Sequence, residues 1–481
     1  MFVLVPYLAA LALLALYGAH RLSLLWRFRW AVGEERAPSE GSAGLPRVTV
    51  QLPLYDERTV AARLVRAAGA LDYPRELLEI QVLDDSDDQT RAIVDAEVER
   101  LRAAGIEARV LRRRHRIGFK AGALERGLRA AQGELLAIFD ADFVPPADFL
   151  RRLVPHFADP AVGMVQARWG HHNRDQSALT RAQATLLDGH FVIEHKARHD
   201  AGLFINFNGT AGVWRRAAIE DAGGWQHDTL TEDLDLSYRA QLRGWKFVYA
   251  PTVVAPAELP ADILAFKSQQ QRWARGSAQV LRKLGRRILC SREPLAVRLE
   301  ALAHLSGNVG YPAVLVLALL LPLALRASAD VPAWAHLALF LLCTVSALAF
   351  YERGQRALGR PAALRVRDTL LATALGIGLS ASQTRAVLAG LRGATGAFVR
   401  TPKRGGAPRA LHYPLRAAPA GRSPRWPLAL AALELLLAAW FGWAIASAAS
   451  FGPRGALPFL ALFFVSFAWV GSLSLVAWAR G

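Results

Sequence analysis

The chain has 481 residues, 53% of them hydrophobic, and carries 58 Lys and Arg against 40 Asp and Glu, a formal charge of +18. That length leaves room for one large globular domain and several membrane helices, and the hydrophobic share argues against a purely soluble protein. Its two cysteines, Cys290 and Cys343, exclude a disulfide framework and a Cys-rich zinc site and suit a reducing compartment.

The first apolar run, Phe2 to Ala19, has no basic region before it and meets Arg21, Arg27 and Arg29 after it. A cleaved signal would show the reverse order, so residues 1–26 read as a retained membrane helix with its N-terminus outside. From Arg36 to about Pro294 no run can span a hydrocarbon layer of about 30 Å, and 36–294 is therefore the cytoplasmic domain. Within it, strand-like and helix-like stretches alternate: Val48 to Pro53, 59–71, Ile80 to Leu83, 89–104, Arg109 to Leu111, 120–131 and Leu135 to Phe139. Such alternation predicts an α/β fold with a parallel, doubly wound sheet, whose ligands bind beyond the carboxyl ends of the strands.

Polar clusters fall at those ends. Asp84 and Asp85, at the close of the second strand, read either as the N-cap of a following helix or as carboxylates for a nucleobase N–H. Asp140 and Asp142, flanking Ala141 after an apolar strand, read as strand-to-turn residues or as hard oxygen ligands for Mg²⁺ or Mn²⁺ on a diphosphate. Thr231-Glu232-Asp233 opens an amphipathic stretch; Thr229 with Glu232 fits a capping box, and the alternative is a general base. Gln269-Gln270-Gln271-Arg272-Trp273 lies on a helical stretch, either as a solvated face or as a phosphate-binding Arg beside a Trp suited to a sugar ring.

Apolar runs return at about 302–325, 332–350, 427–449 and 456–479, while 369–391 is interrupted by Ser380, Ser382, Gln383 and Arg385. Basic residues flank 369–391 on both sides, so by parity it lies in the interface and does not cross. This divides the chain after 294 into two spans in 300–350, an interfacial helix and basic loop in 351–426, and two spans in 427–480. Because the bases cluster beside the apolar runs, positive-inside topology explains the charge better than nucleic-acid binding does.

The ordered set of an Asp pair, D-x-D, T-E-D and Q-x-x-R-W before membrane helices resembles the family 2 glycosyltransferases of the cellulose synthase superfamily, from about Pro53 to Lys403. Gln51 to Glu57, Phe119 to Leu124, Phe207 to Gly212 and Leu230 to Leu236 are similar to the mannan and glucomannan synthase branch and its bacterial relatives, with Asp56 where Asn is common.

The resemblance implies a GT-A type domain inserted between membrane helices, and an inverting transfer from UDP-glucose or GDP-mannose that elongates a β-linked polysaccharide in the inner (plasma) membrane. It implies Asp84 and Asp85 at the base, Asp140 and Asp142 on Mg²⁺ or Mn²⁺, and Lys120, Gln269 and Arg272 toward the donor. Asp233 with Glu232 would be catalytic, and Trp273, Asn208, Gly209 and Thr210 would meet the acceptor. Phe398 to Lys403 resembles the F-x-V-T-x-K gating loop of bacterial cellulose synthase, with Arg400 in place of Val, which implies donor contacts from Thr401 and Lys403; the alternative is a basic juxtamembrane loop whose partner is anionic membrane lipid. The acceptor is expected to be a glycan or lipid-linked; a non-processive lipid glycosyltransferase of the ceramide or diacylglycerol type, adding one sugar, is the competing enzymatic expectation, and a transporter or scaffold with a degenerate domain the non-enzymatic one.

Overall fold

The structure, a computed structural model, describes residues 2–28, 44–327, 333–393, 426–451 and 454–480. Its central sheet has seven strands: β1 (Val48–Leu54), β2 (Leu78–Asp84), β3 (Glu107–Leu111), β4 (Leu135–Ile138), β5 (Val162–His171), β6 (Gly212–Arg215) and β7 (Lys246–Ala257), in the order β3-β2-β1-β4-β6-β5-β7. The runs Val48-Thr-Val and Ile80-Gln-Val are rich in β-branched residues and buried, as strands covered on both faces must be. Pairing of Leu54 with Asp84 and of Gln51 with Ile138 brings the ends of β1, β2 and β4 to one edge.

The parallel sheet expected from 48–139 is present, and the strands beyond it make the whole sheet mixed. β1 to β4 are mutually parallel and β5 is parallel to β7, but β6 runs antiparallel to both β4 and β5. The reason lies in the connection before it. After β5 the chain passes through helical segments spanning 178–200 and returns as 207–211 to the edge where β4 ends, so β6 must run away from that edge. The backbone N–H of Ala211 donates to Ile138 O at 2.8 Å, and that of Asp140 donates to Thr210 Oγ1 at 2.8 Å, which fixes this loop beside the D-x-D turn.

Among the described residues, five helices are long and apolar enough to cross a membrane: Leu4–Arg27, Leu295–Arg326, Leu337–Ala357, Trp426–Ser450 and Arg454–Arg480. By that measure the chain is a multi-pass membrane protein. The interrupted stretch 369–391 falls in two shorter helices, Ala362–Gly378 and Ser380–Leu391, and neither is among the five.

Between domain and membrane helices runs the helix Ile263–Leu289, capped by Asp262, whose carboxylate accepts from the N–H groups of Leu264 at 2.8 Å and Ala265 at 3.1 Å. On one side Gly276 lies so close to Thr231 that a Cβ would come within 2.5 Å of its methyl group. On another, Lys267 Nζ lies 2.5 and 2.7 Å from the two oxygens of Glu434 and donates to Ser474 Oγ at 2.7 Å, all three side chains being buried. A charge buried among membrane helices is tolerated only when it is paired. Lys267→Met should therefore strand Glu434 and destabilise the protein by about 3–5 kcal/mol, whereas Lys267→Met with Glu434→Leu should return to within about 1 kcal/mol. Thermal midpoints of both proteins in detergent test this; equal losses would show that the charge pair is not what matters there.

Candidate active site

One cleft at the carboxyl edge of the sheet collects residues from each of the four ordered motifs. Its wall includes Asp85, Lys120, Asp140, Asp142, Asn208, Gly209, Glu232, Asp233, Gln269, Arg272 and Trp273. Asp84 and Thr210 do not line it; both stand behind the wall, Asp84 accepting from Arg112 Nε at 2.9 Å and from the N–H of Ser86 at 3.0 Å. Thr401 and Lys403, with the rest of the gating-like segment, lie outside the described residues.

At one end, Asp85 accepts from Arg113 Nε at 2.9 Å and from a second nitrogen of the same guanidinium, a bidentate pair that carries both charge and orientation. Arg113 in turn donates to the carbonyls of Ile117 and Phe119, each at 2.8 Å, and so ties the loop after β3 to the end of β2. Arg116 covers Tyr55, its guanidinium carbon 3.2 Å from the ring centroid, and also faces the cleft. A carboxylate, a guanidinium and an aromatic face together suit a planar base with N–H donors.

In the middle, Asp140 is 37% exposed and Lys120 Nζ lies 2.5 Å from its Oδ1. Lys120 also donates to Gly209 O at 2.9 Å. Burial works against the Lys120 ammonium, but Asp140, Glu232 and Asp233 outweigh it and hold its pKa above the usual lysine value. Asp142, two residues on, is buried at 5% exposure and also faces the cleft. Among the described residues no group of three or more metal-binding side chains occurs. Two hard carboxylates alone fit a divalent ion that completes its shell with substrate phosphates and water, not a dedicated protein cage.

Opposite stands Asp233 in the first turn of the helix Glu232–Gln241. Burial, and after it the adjacent Glu232 carboxylate, pushes its pKa up to about 7, with Lys120 pulling the other way. The capping box expected from Thr229 and Glu232 does not form: Thr231 takes the cap position without a side-chain bond, and Thr229 Oγ1 donates to Thr231 O at 3.4 Å. Glu232 is thereby left to the cleft wall. Gly209 is what lets the two sides meet. Its φ is +82°, and a Cβ there would come within 2.9 Å of Asp233 Oδ2 and 3.4 Å of Lys120 Nζ.

Gln269, Arg272 and Trp273 share one face of their helix through i, i+3 and i+4 spacing and close the far end. Asn208 lines the cleft, but its side-chain amide is engaged behind it, 2.9 Å from His190 Nε2 and 2.8 Å from His195 Nε2. Sequence reasoning missed Arg116, Trp169 and His171, all in the wall. The signal for the last two was available: Trp169 and His171 sit two apart at the carboxyl end of β5, on one side of an extended strand.

A family model described as glycosyltransferase-like family 2 matches residues 46–276. Residues 46–276 are a family 2 glycosyltransferase domain. Glucomannan 4-beta-mannosyltransferase 2 of Arabidopsis thaliana is 46% identical over 249 residues, 51% of this chain and 47% of that protein. The probable glucomannan 4-beta-mannosyltransferase 7 of Oryza sativa subsp. japonica is 42% identical over 273 residues, 56% of this chain and 47% of that protein. The chain thus spans about half the length of the curated relatives it matches, and those named here are plant proteins. A mannosyltransferase of Pyrobaculum calidifontis, solved with GDP-Man and Mn²⁺, shares the fold with a TM-score of 0.56 at 24% identity, over 80% of this chain and 99% of that one. The glycosyltransferase domain has the GT-A fold, with a mixed sheet.

If the transfer uses the free Asp233 carboxylate, the raised pKa sets its pH dependence. The group is protonated and inactive below about 7 and ionised above, so kcat/KM should rise with limiting unit slope on the acid side and then level. Initial rates from about pH 5.5 to about pH 8.5 check this, and a profile flat across that range would exclude titration of Asp233 as the controlling event.

Proposed function

We propose that the protein transfers mannose from GDP-mannose, with inversion, to the end of a β-linked mannan or glucomannan chain at the cytoplasmic face of the plasma membrane. The observation that carries this reading is the convergence of Asp233, Lys120, Asp140 and Gly209 within one cleft, which sets a proton acceptor against a diphosphate-sized polar site. The relatives support the choice of mannose, since those named above are glucomannan 4-beta-mannosyltransferases. The Pyrobaculum enzyme's GDP-Man and Mn²⁺ agree with the two-carboxylate site here.

In this reading Asp85 and Arg116 receive the base, while Asp140 and Asp142 would hold Mg²⁺ or Mn²⁺, which supplies neutralising charge to the diphosphate when bound. Lys120 and Arg272 face the same phosphates. Trp273 stacks against the acceptor ring and sets its hydroxyl toward the anomeric carbon. Asp233 removes the hydroxyl proton as the oxygen attacks from the face opposite the departing nucleotide, so an α-linked donor yields a β-linkage. Gly209 keeps that carboxylate beside Lys120, and Glu232 raises its basicity. Thr401 and Lys403 are assigned to donor contacts on the resemblance alone.

The test is incubation of the purified protein in detergent with labelled GDP-mannose or UDP-glucose, Mn²⁺ or Mg²⁺ and a β-linked acceptor, followed by sizing of the product. Polymer from GDP-mannose is expected; glycolipid alone, or polymer from UDP-glucose alone, would overturn the assignment. Asp233→Asn should lose on the order of 10² to 10⁴ in kcat while donor affinity changes by less than about threefold. Excess chelator should abolish turnover by the unaltered protein, and full activity under those conditions would exclude a metal at Asp140 and Asp142.

A further inference from the structure

We propose that Trp169 and His171 form a second acceptor subsite, binding the pyranose ring next to the one stacked on Trp273. This rests on Trp273 as the acceptor platform, as proposed above, and extends it to residues that none of the motifs contains.

Gly170, between the two, is pressed against β7 so tightly that a Cβ would lie 2.8 Å from Val254 Cγ1. Strand alternation then commits Trp169 and His171 to the same side, and both line the cleft. The Trp169 indole is held from behind by Phe143 and Phe191, with ring centroids 5.2 and 5.0 Å away, and its Nε1 donates to Thr210 O at 3.5 Å. Its centroid is 6.4 Å from that of Trp273, at an interplanar angle of 56°. Two tilted aromatic faces at that separation can serve consecutive sugar rings, whose C–H faces turn along a β-linked chain.

His171 supplies the polar contact. Its side chain is only 4% exposed, and Nε2 lies 3.2 Å from Asp188 Oδ1. Burial opposes the charge of Asp188, but His171 and Arg174 hold its pKa well below the usual carboxylate range, so the carboxylate accepts and Nε2 carries the proton. With Nε2 turned to Asp188, Nδ1 has no protein partner among the described residues and is left to exchange a hydrogen bond with a sugar hydroxyl. Asp188 is itself held by Arg174 and by Gln355 Nε2, which donates to Oδ2 at 2.8 Å from the helix Ala333–Ala357. The orientation of the imidazole is therefore set from the membrane side of the protein.

The probes are β-1,4-mannotetraose and GDP-mannose with Mn²⁺. Trp169→Ala and His171→Ala should each weaken tetrasaccharide binding, followed by tryptophan fluorescence, and raise its KM by about tenfold. The loss in tetrasaccharide affinity should exceed any loss in GDP-mannose or Mn²⁺ affinity by about fivefold or more. Trp169→Phe, which keeps a ring, should recover most of the loss and guards against a folding defect in the alanine variant. His171→Asn places an amide atom near the position of Nδ1 without reaching Asp188; recovery by this variant supports the hydroxyl contact, and failure to recover assigns the residue a structural role and overturns it. Losses that fall on GDP-mannose or Mn²⁺ affinity instead would move both residues to the donor side and overturn the proposal. Tetrasaccharide binding that depends on both residues, in a wild-type protein that transfers nothing from GDP-mannose, would leave the subsite standing and refute the proposed reaction.

Discussion

The ammonium of Lys120 is shared between Asp140, the carbonyl of Gly209 and the field of the Glu232–Asp233 pair. Three acidic groups, Asp140, Glu232 and Asp233, converge on this ammonium, and without a cation among them their mutual repulsion would favour protonation or separation. With Lys120 among them the charges coexist unequally: Asp140 is directly paired, whereas Asp233 is pushed towards the neutral form by burial and by Glu232. Closeness at this point depends on Gly209, because any side chain there would displace the Asp233 carboxylate or the ammonium. The Asp233 carboxylate and the Lys120–Asp140 pair can thus face each other across a narrow gap without a rearrangement of the sheet.

The surrounding architecture serves that gap. Register between β1, β2 and β4 delivers the acidic residues to one edge, and the reversed β6 returns the Asn208-Gly209-Thr210 loop to the same place. Thr210 is buried, yet it secures Asp140 by accepting from its N–H. A residue can matter to a site by holding a neighbour, and Asp84, occupied with Arg112 behind the wall, is a second case.

Much of this was legible from residues alone because strand ends announce themselves. Apolar, β-branched runs followed at once by carboxylates marked Asp85, Asp140 and Asp142, and long apolar stretches with basic flanks marked the membrane helices. What escaped depended on contacts remote in sequence. The direction of β6 follows from where a long connection returns, which a run of four strand residues cannot reveal. The capping box between Thr229 and Glu232 satisfied a local pattern, but packing of Thr231 against Gly276 gave those residues other surroundings. Arg116 reads as one base among several after β3, and only its position over Tyr55 distinguishes it.

The helix Ile263–Leu289 carries Arg272 and Trp273 while its first turns, Ile263, Leu264 and Phe266, pack with Leu179 and Ala182 of the domain and with Leu375, Leu379 and Val470 of the membrane region. The catalytic and membrane portions therefore own a hydrophobic core in common and have no clean seam between them. A fragment ending near Pro294 would keep all the carboxylates of the cleft, but would expose that apolar strip and leave the Lys267 ammonium without its acid. Such a fragment should self-associate, and exchange of catalytic domains between related chains would have to carry the facing membrane helices along.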